Sequence, residues 1–168
     1  MRVLICLLFS FFVCLYSPVF AGEPLVLKAG VTLDDLVPDA IFGTWRVRSQ
    51  LLETDSKGLF KNNNVDVWNI SRKNSVITLE NPISGANASI SIKEVEGNKV
   101  VFEKIGNYDN KLLYDTVELY LDDVNFRGQN YLKLDTKSEI DGHIMKSQKA
   151  KYSLYGEKLS GYNVFSEE

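Results

Sequence analysis

The feature that most constrains the fold is a nearly continuous alternation of apolar and polar residues, which begins at Trp45 and continues to about residue 156. A period of two places successive side chains on opposite faces, as in a half-buried β-strand. Turn residues interrupt the alternation, for example Glu96-Gly97-Asn98 between two well-patterned stretches. The pattern predicts eight strands, at residues 45–51, 65–71, 75–79, 88–95, 99–105, 112–121, 126–135 and 144–156.

Eight consecutive strands with short connections leave two sheet edges, whose backbone groups must be paired or protected. The simplest arrangement pairs the eighth strand with the first and closes the sheet into a barrel. A barrel of eight strands has room for packed side chains or for one small ligand. The predicted fold class is therefore all-β, an eight-stranded antiparallel up-and-down barrel, and the alternative is a two-sheet β-sandwich.

A short helical segment is predicted just before the first strand. Thr32 followed by Asp35 matches a capping box, in which the two residues bond each other's backbone N–H groups. Pro38 prevents a helix from continuing. We therefore expect one turn of helix at about residues 33–37.

The N-terminus has the features of a secretory signal peptide. Arg2 supplies a positive charge, residues 3–16 form an apolar segment too short for a relaxed membrane span, and Ala21 offers a cleavage site. The sequence therefore predicts a signal peptide at residues 1–21. An uncleaved anchor is the alternative.

Cleavage would leave one domain at residues 22–168, with its core at about 42–156, which is long enough for a single core. Both cysteines, Cys6 and Cys14, lie in the segment that is removed. The exported chain then has no thiol, which excludes a cysteine nucleophile, a thiolate zinc site and a disulfide framework. We expect a secreted or periplasmic protein, and the absence of disulfides favours a bacterial source.

The charge distribution argues against nucleic acid as a partner. The formal net charge is −3 for the whole chain, and acidic and basic residues are mixed along it without a basic block. Binding of phosphates needs clustered Lys and Arg. Arg46 and Lys133 lie in the middle of predicted strands, so we also expect no membrane-spanning segment after removal of the signal.

The sequence offers little for catalysis. His143 is the one histidine and follows Gly142 in a predicted turn, so a multi-histidine zinc site is excluded. Asp122 and Asp123 are adjacent in another predicted turn, where their side chains diverge. We therefore expect no enzyme activity, no cofactor and no metal site.

Gly43-Thr44-Trp45 at the start of the first strand, the helical turn before it and the eight strands after it resemble the lipocalins and the wider calycin group, over about residues 32–156. Gly43 has no Cβ to obstruct packing of the indole against the base of the barrel. The resemblance implies a non-catalytic module that binds a small, mostly apolar molecule. It also implies a basic residue on a late strand that packs over the indole, for which the candidates are Arg127, Lys149 and Lys151.

The interior of such a barrel is either filled by its own side chains or holds a ligand cavity with a few convergent polar groups. Ser49, Asp115 and Tyr152 are polar members of otherwise apolar faces. An alternative for Asp115 is a twist or bulge that turns the carboxylate to solvent. The predicted ligand-binding residues are Ser49, Phe102, Asp115, Val117 and Tyr152.

Four aromatic residues are predicted to form an interaction surface on the outside: Trp68, Tyr114, Tyr120 and Tyr131. The alternative is core packing for Trp68 and cross-strand stabilising pairs for the tyrosines. The sequence thus predicts an exported lipocalin-like binding protein for a small apolar or amphipathic ligand. The alternative function is an envelope or extracellular module that binds protein or glycan by this outer face.

Overall fold

The computed structural model describes residues 32–161 of the chain. The predicted signal peptide, its cleavage site and both cysteines lie outside the described residues. Two short 3-10 helices, η1 and η2, precede the sheet, and neither is long or apolar enough to cross a membrane. The helices are Leu33–Leu36 and Asp39–Ile41, and the strands are β1 Gly43–Thr54, β2 Asn63–Lys73, β3 Val76–Glu80, β4 Asn87–Ser89, β5 Ser91–Glu96, β6 Lys99–Tyr108, β7 Lys111–Asp122, β8 Asn125–Lys137 and β9 Ile144–Gly161.

The strands form one antiparallel sheet in the order β4-β3-β2-β1-β9-β8-β7-β6-β5. The last strand pairs with the first along most of its length, from Gly43 opposite Gly161 to Thr54 opposite Ala150. This pairing confirms the predicted closure, and the fold is a nearly closed all-β barrel rather than a sandwich. The predicted helical turn is also present, because the Thr32 amide donates to Asp35 Oδ2 at 2.9 Å just before η1.

The described part of the sheet has nine strands because the predicted strand at 88–95 is interrupted at Ile90. The amide of Ile90 still donates to the carbonyl of Ile77 in β3, at 2.9 Å. From Ser91 onwards the chain pairs with β6 instead. One bent segment therefore bridges the two sides of the barrel, with β4 on one side and β5 on the other.

Inward-facing side chains fill the end of the barrel that lies next to the helices. Trp45, Phe102 and Phe126 are fully buried there, and the rings of Trp45 and Phe126 lie 5.0 Å apart. The buried apolar core is continuous from the helices to the middle of the barrel and includes Val37, Ile41, Val47, Trp68, Ile70, Ile77, Leu79, Val100, Val117, Leu119 and Leu154.

Trp45 closes the base of the barrel. Its indole N–H donates to the carbonyl of Ile41 in η2, at 2.8 Å, so no polar atom of the ring is left unpaired. Gly43 has a different role from the one expected. A Cβ on Gly43 would lie 2.2 Å from the carbonyl oxygen of Ser160, and its φ is +126°. Glycine is required because β9 approaches closely at this point, not because the indole needs the space.

The basic residue that packs over the indole is Lys158. Its Nζ lies 4.9 Å from the centre of the Trp45 ring and donates to the carbonyl of Ala40, at 2.6 Å. Burial lowers the pKa of the Lys158 amine below its ordinary value. The three expected candidates are elsewhere: Arg127 and Lys149 are exposed, and Lys151 lies over Tyr131 on the outside. Lys158 was missed because β9 continues past the predicted strand end at residue 156.

The substitution Trp45→Ala is expected to lower the free energy of unfolding by about 3–5 kcal/mol, as for other large buried aromatic residues. The measurement is urea denaturation of the purified protein, with Tyr120→Ala as a control at an exposed position. The control should change stability by less than about 1 kcal/mol. A similarly small effect of Trp45→Ala would show that the indole does not hold the base together.

Candidate functional site

A cavity of about 390 Å³ opens at the end of the barrel opposite Trp45. It lies at the ends of the strands joined by the β1–β2 loop, and Leu59, Phe60 and Lys61 of that loop contribute to its wall. The apolar part of the wall comes from Val47, Trp68, Leu113, Leu132 and Leu154. The sheet therefore encloses a filled base and a partly open upper half.

Polar side chains converge on this cavity from six strands. They occupy the same inward-facing positions that are apolar nearer the base, because the alternation continues while the residue type changes. In β7, for example, the inward positions hold Leu119 and Val117 near the base and Asp115 next to the cavity, and all three residues are buried. The polar residues that line the cavity are Ser49, Asn64, Asp66, Lys104, Asp115, Asn130 and Tyr152.

Asp115 is held by two partners from neighbouring strands. Lys104 Nζ in β6 lies 2.8 Å from Asp115 Oδ2, and the side-chain amide of Asn130 in β8 donates to Asp115 Oδ1. The residue is only 6 % exposed, so it does not turn to solvent as the alternative interpretation proposed. A buried carboxylate is tolerated here because both of its oxygens have partners and one partner is a cation.

Asp66 faces the same space from β2. Its Oδ1 accepts from the backbone amide of Val67, at 2.9 Å, and from the side-chain amide of Asn81. Among the described residues, no basic side chain lies within salt-bridge distance of Asp66. A second, smaller cavity of about 200 Å³ shares Asp66, Lys104 and Asp115 with the first and extends beneath the β3–β4 loop.

Tyr152 connects the cavity to the loop at its mouth. The hydroxyl of Tyr152 donates to the carbonyl of Lys61, at 3.0 Å. Burial raises the pKa of the Tyr152 hydroxyl, so it remains protonated and able to donate at neutral pH. This bond fixes the loop next to Phe60, which also lines the cavity.

Three of the five predicted ligand-binding residues are brought together in the cavity: Ser49, Asp115 and Tyr152. The other two, Phe102 and Val117, are fully buried and pair with each other one inward position closer to the base. They belong to the packed core and do not line the cavity, which corrects the prediction. Both residues are apolar, and an alternating pattern does not show where along a strand the interior changes from packed to open.

Sequence reasoning missed Asn64, Asp66, Lys104 and Asn130. The signal for Asp66 was ambiguous, because Val65 and Val67 on the opposite face of β2 are as apolar as Trp68 and Ile70. Lys104 shares the inward face with Val100 and Phe102, so its position could have been derived from the alternation.

Trp68 is not a surface platform. It is only 6 % exposed, and its ring stacks on Phe126 with a centroid distance of 6.1 Å and an interplanar angle of 25°. It points inward because it pairs directly with Trp45 across β1 and β2, and paired residues share a face. The indole forms part of the cavity wall, with Lys104 Nζ 5.6 Å from its ring centre.

The outside of the barrel has a larger groove, of about 630 Å³, which runs across β1, β9, β8 and β7 to Glu103 in β6. Two of the predicted surface residues, Tyr114 and Tyr131, line it. Tyr120 is exposed but lies near the base end, beside Arg127 and Tyr155, and contributes to a separate depression. The predicted aromatic patch is therefore reduced to two tyrosines.

Lysine side chains cover both tyrosines of the groove. Lys133 Nζ lies 5.1 Å from the ring centre of Tyr114, and Lys151 Nζ lies 5.1 Å from that of Tyr131. Lys133 also pairs with Asp135 Oδ2, at 2.7 Å. This pair raises the pKa of the Lys133 amine and lowers that of the Asp135 carboxyl. Acidic residues line the groove as well, so its rim carries both signs of charge: Glu53, Asp55, Glu103, Lys149 and Lys151.

His143 lies at the β8–β9 loop, exposed, with Nδ1 2.5 Å from Asp141 Oδ1. It is far along the chain from Asp115 and does not line either interior cavity. Within residues 32–161, no group of three or more His, Cys, Asp or Glu residues is arranged to hold a metal ion.

No family model and no curated protein matches this chain. A search of solved structures gives a match to "Structure of EF1p2_mFAP2b bound to DFHBI", which is 10% identical. The alignment covers 71% of this chain and 94% of that chain, with a TM-score of 0.39. The barrel fold is defined by the pairing of the strands themselves.

The pair Lys104–Asp115 is expected to be energetically coupled, because removal of either partner leaves a charge in the barrel interior. A double-mutant cycle with Lys104→Met and Asp115→Asn, followed by urea denaturation, should give a coupling energy of about 1–3 kcal/mol. The control is the cycle for Lys93 and Glu103, an ion pair of 3.0 Å on the outside. We expect less than about 1 kcal/mol there, and equal coupling in the two cycles would contradict a role of burial.

Proposed function

We propose that this protein is an exported, lipocalin-like binding protein that holds a small amphipathic ligand in the cavity above Trp68. The observation that carries the proposal is the combination of an apolar wall with a few fixed polar groups in one cavity at the open end of the barrel. Such spaces are typical of small-molecule sites, where apolar walls contribute affinity and polar groups orient the ligand. The predicted signal peptide supports a secreted or periplasmic location.

Two features of the base support the lipocalin-like part of the proposal. Gly43-Thr44-Trp45 begins β1, and Lys158 of the last strand lies over the Trp45 ring. A basic residue at this place is what the resemblance implied. Both features hold one end of the barrel closed, which leaves the other end as the entrance for a ligand.

The arrangement of the polar groups favours binding over catalysis. Asp115 has both oxygens engaged by Lys104 and Asn130, and the Tyr152 hydroxyl is engaged by a loop carbonyl. A hydrolytic site would instead need a nucleophile beside a base, or two available carboxylates, and of the two carboxylates in this cavity Asp115 is occupied by its ion pair with Lys104. Groups that are held in this way fix the shape of the cavity, which supports a binding role.

The proposal predicts that the purified protein binds the neutral apolar probe N-phenyl-1-naphthylamine inside the barrel. Ser49→Trp places a bulky side chain in the cavity and should weaken binding by at least about tenfold, since the space would be occupied. Ser153→Trp is the matched control, because Ser153 is on the adjacent strand and faces outward. The measurement is probe fluorescence, with native mass spectrometry of protein from its own host to identify a bound molecule.

Equal binding by both variants would place the probe outside the barrel and would contradict the proposal. Failure of the wild-type protein to bind any apolar probe would do the same.

A second candidate function is an outer glycan-binding surface, which the groove with Tyr114 and Tyr131 favours. The groove combines two tyrosine rings, over which Lys133 and Lys151 lie, with charged side chains that can bond the hydroxyl edges of a sugar. The double substitution Tyr114→Ala with Tyr131→Ala should abolish binding on a glycan array, whereas Tyr120→Ala should not. Unchanged binding by the double variant, or retention of a protein but no glycan in pull-downs, would remove this candidate.

A further inference from the structure

We propose that the ligand of the interior cavity carries a protonated amine or a similar cationic head group, which binds Asp66. This inference rests on the proposed ligand-binding function and specifies the chemistry of the ligand. It follows from the charges that face the cavity and from the partners that those charges already have.

The interior of the open end contains one more acidic group than basic group. Asp66, Asp115 and Lys104 line both cavities. Lys61 also lines the larger one, but it is exposed at the mouth, where its carbonyl is bonded by Tyr152. The inner end of the cavity therefore has a net negative charge when it is empty.

The two carboxylates differ in what compensates them. Asp115 is paired with Lys104 and bonded by Asn130, so its charge and both of its oxygens are already engaged. Asp66 is bonded only by neutral donors, the Val67 amide and Asn81, and both contact the same oxygen, Oδ1. Within the described residues, the second oxygen of Asp66 has no hydrogen-bond partner from the protein. A half-buried carboxylate in this state can still accept a charged donor.

An anionic head group does not suit this site. Lys104 lines both cavities, and its Nζ is already paired with Asp115 Oδ2 at 2.8 Å. An anion that paired with Lys104 would leave Asp115 buried without its cation, which is strongly unfavourable. An anion that did not pair with Lys104 would be repelled by the negative charge of Asp66. A cation meets neither penalty, because it pairs with Asp66 and leaves the Lys104–Asp115 pair intact.

The surroundings of Asp66 also indicate the rest of the ligand. Asp66 and Trp68 are two residues apart in β2 and share the inward face. The apolar wall continues from Trp68 to Leu113 and Leu154. A ligand with its amine at Asp66 can place an apolar body along this wall. The ligand class is therefore an amphipathic organic amine.

The test compares three probes that share one alkyl tail and differ in head group: octylamine, octanol and octanoate. Each is titrated near neutral pH against N-phenyl-1-naphthylamine bound to the whole exported protein, with calorimetry as a second readout. We expect octylamine to bind at least about tenfold more tightly than octanoate, with octanol between them. Equal affinity for the amine and the carboxylate, or preference for the carboxylate, would overturn the inference without any variant.

Asp66→Asn removes the charge but keeps an acceptor for Val67 and Asn81. It should weaken octylamine about tenfold and leave octanol unchanged. Asp122→Asn is the matched control at an exposed position at the far end of β7. It should leave all three affinities unchanged. Loss of octanol binding together with octylamine binding in Asp66→Asn would show that Asp66 acts on the shape of the cavity, which contradicts the inference.

The outcomes separate this inference from the proposed function. Binding of octanol without preference for the amine keeps the binding function and removes the head-group assignment. Absence of binding by all three probes and by the fluorescent probe removes both.

Discussion

The structure depends on the pairing of β9 with β1. This pairing closes the sheet, and it brings Lys158 over Trp45 at one end and Tyr152 to the cavity at the other. Without this pairing, the backbone groups of both strands would be unpaired along the 11 residue pairs that now join them. Such an exposed edge is unfavourable and favours association with other chains. Closure also decides that one face of every strand is interior, and the positions of the core and the cavity both follow from this.

The interior is divided into an apolar base and a polar upper half, and the division runs across neighbouring strands at the same height. In β6 the inward residue changes from Phe102 to Lys104, and in β7 it changes from Val117 to Asp115, which pair with each other in the same order. Charged residues can occupy the interior because their partners come from adjacent strands at the same level. The apolar layer at the base forms the packed core, and the polar layer above it lines the cavity. The cavity can therefore remain open while the base is fully packed.

Much of the fold was predictable, because the approximate positions of the strands depend on local alternation and turn residues. Three features were not. The interruption at Ile90 depends on which neighbour each half of the segment pairs with, and Lys158 lies in a strand that continues beyond its local pattern because β1 is there to pair with it. The third is Trp68, whose burial depends on its pairing with Trp45. In each case the deciding partner is distant in sequence. Local alternation was enough to identify Ser49, Asp115 and Tyr152 as interior polar residues, and it places Lys104 on an inward face as well. The contacts of Asp115 with Lys104 and Asn130 depend instead on the register between neighbouring strands.

The sequence by itself determined the all-β class, the approximate positions of the strands along the chain and the sets of residues that share a face. A two-residue period is typical of strands and fixes the faces within each of them. It did not determine which face of β2 is inside, since Val65 and Val67 compete there with Trp68 and Ile70. Only the tertiary structure decided this, through the register between β1 and β2. That choice places Asp66 in the cavity, because residues at alternate positions must turn inward together.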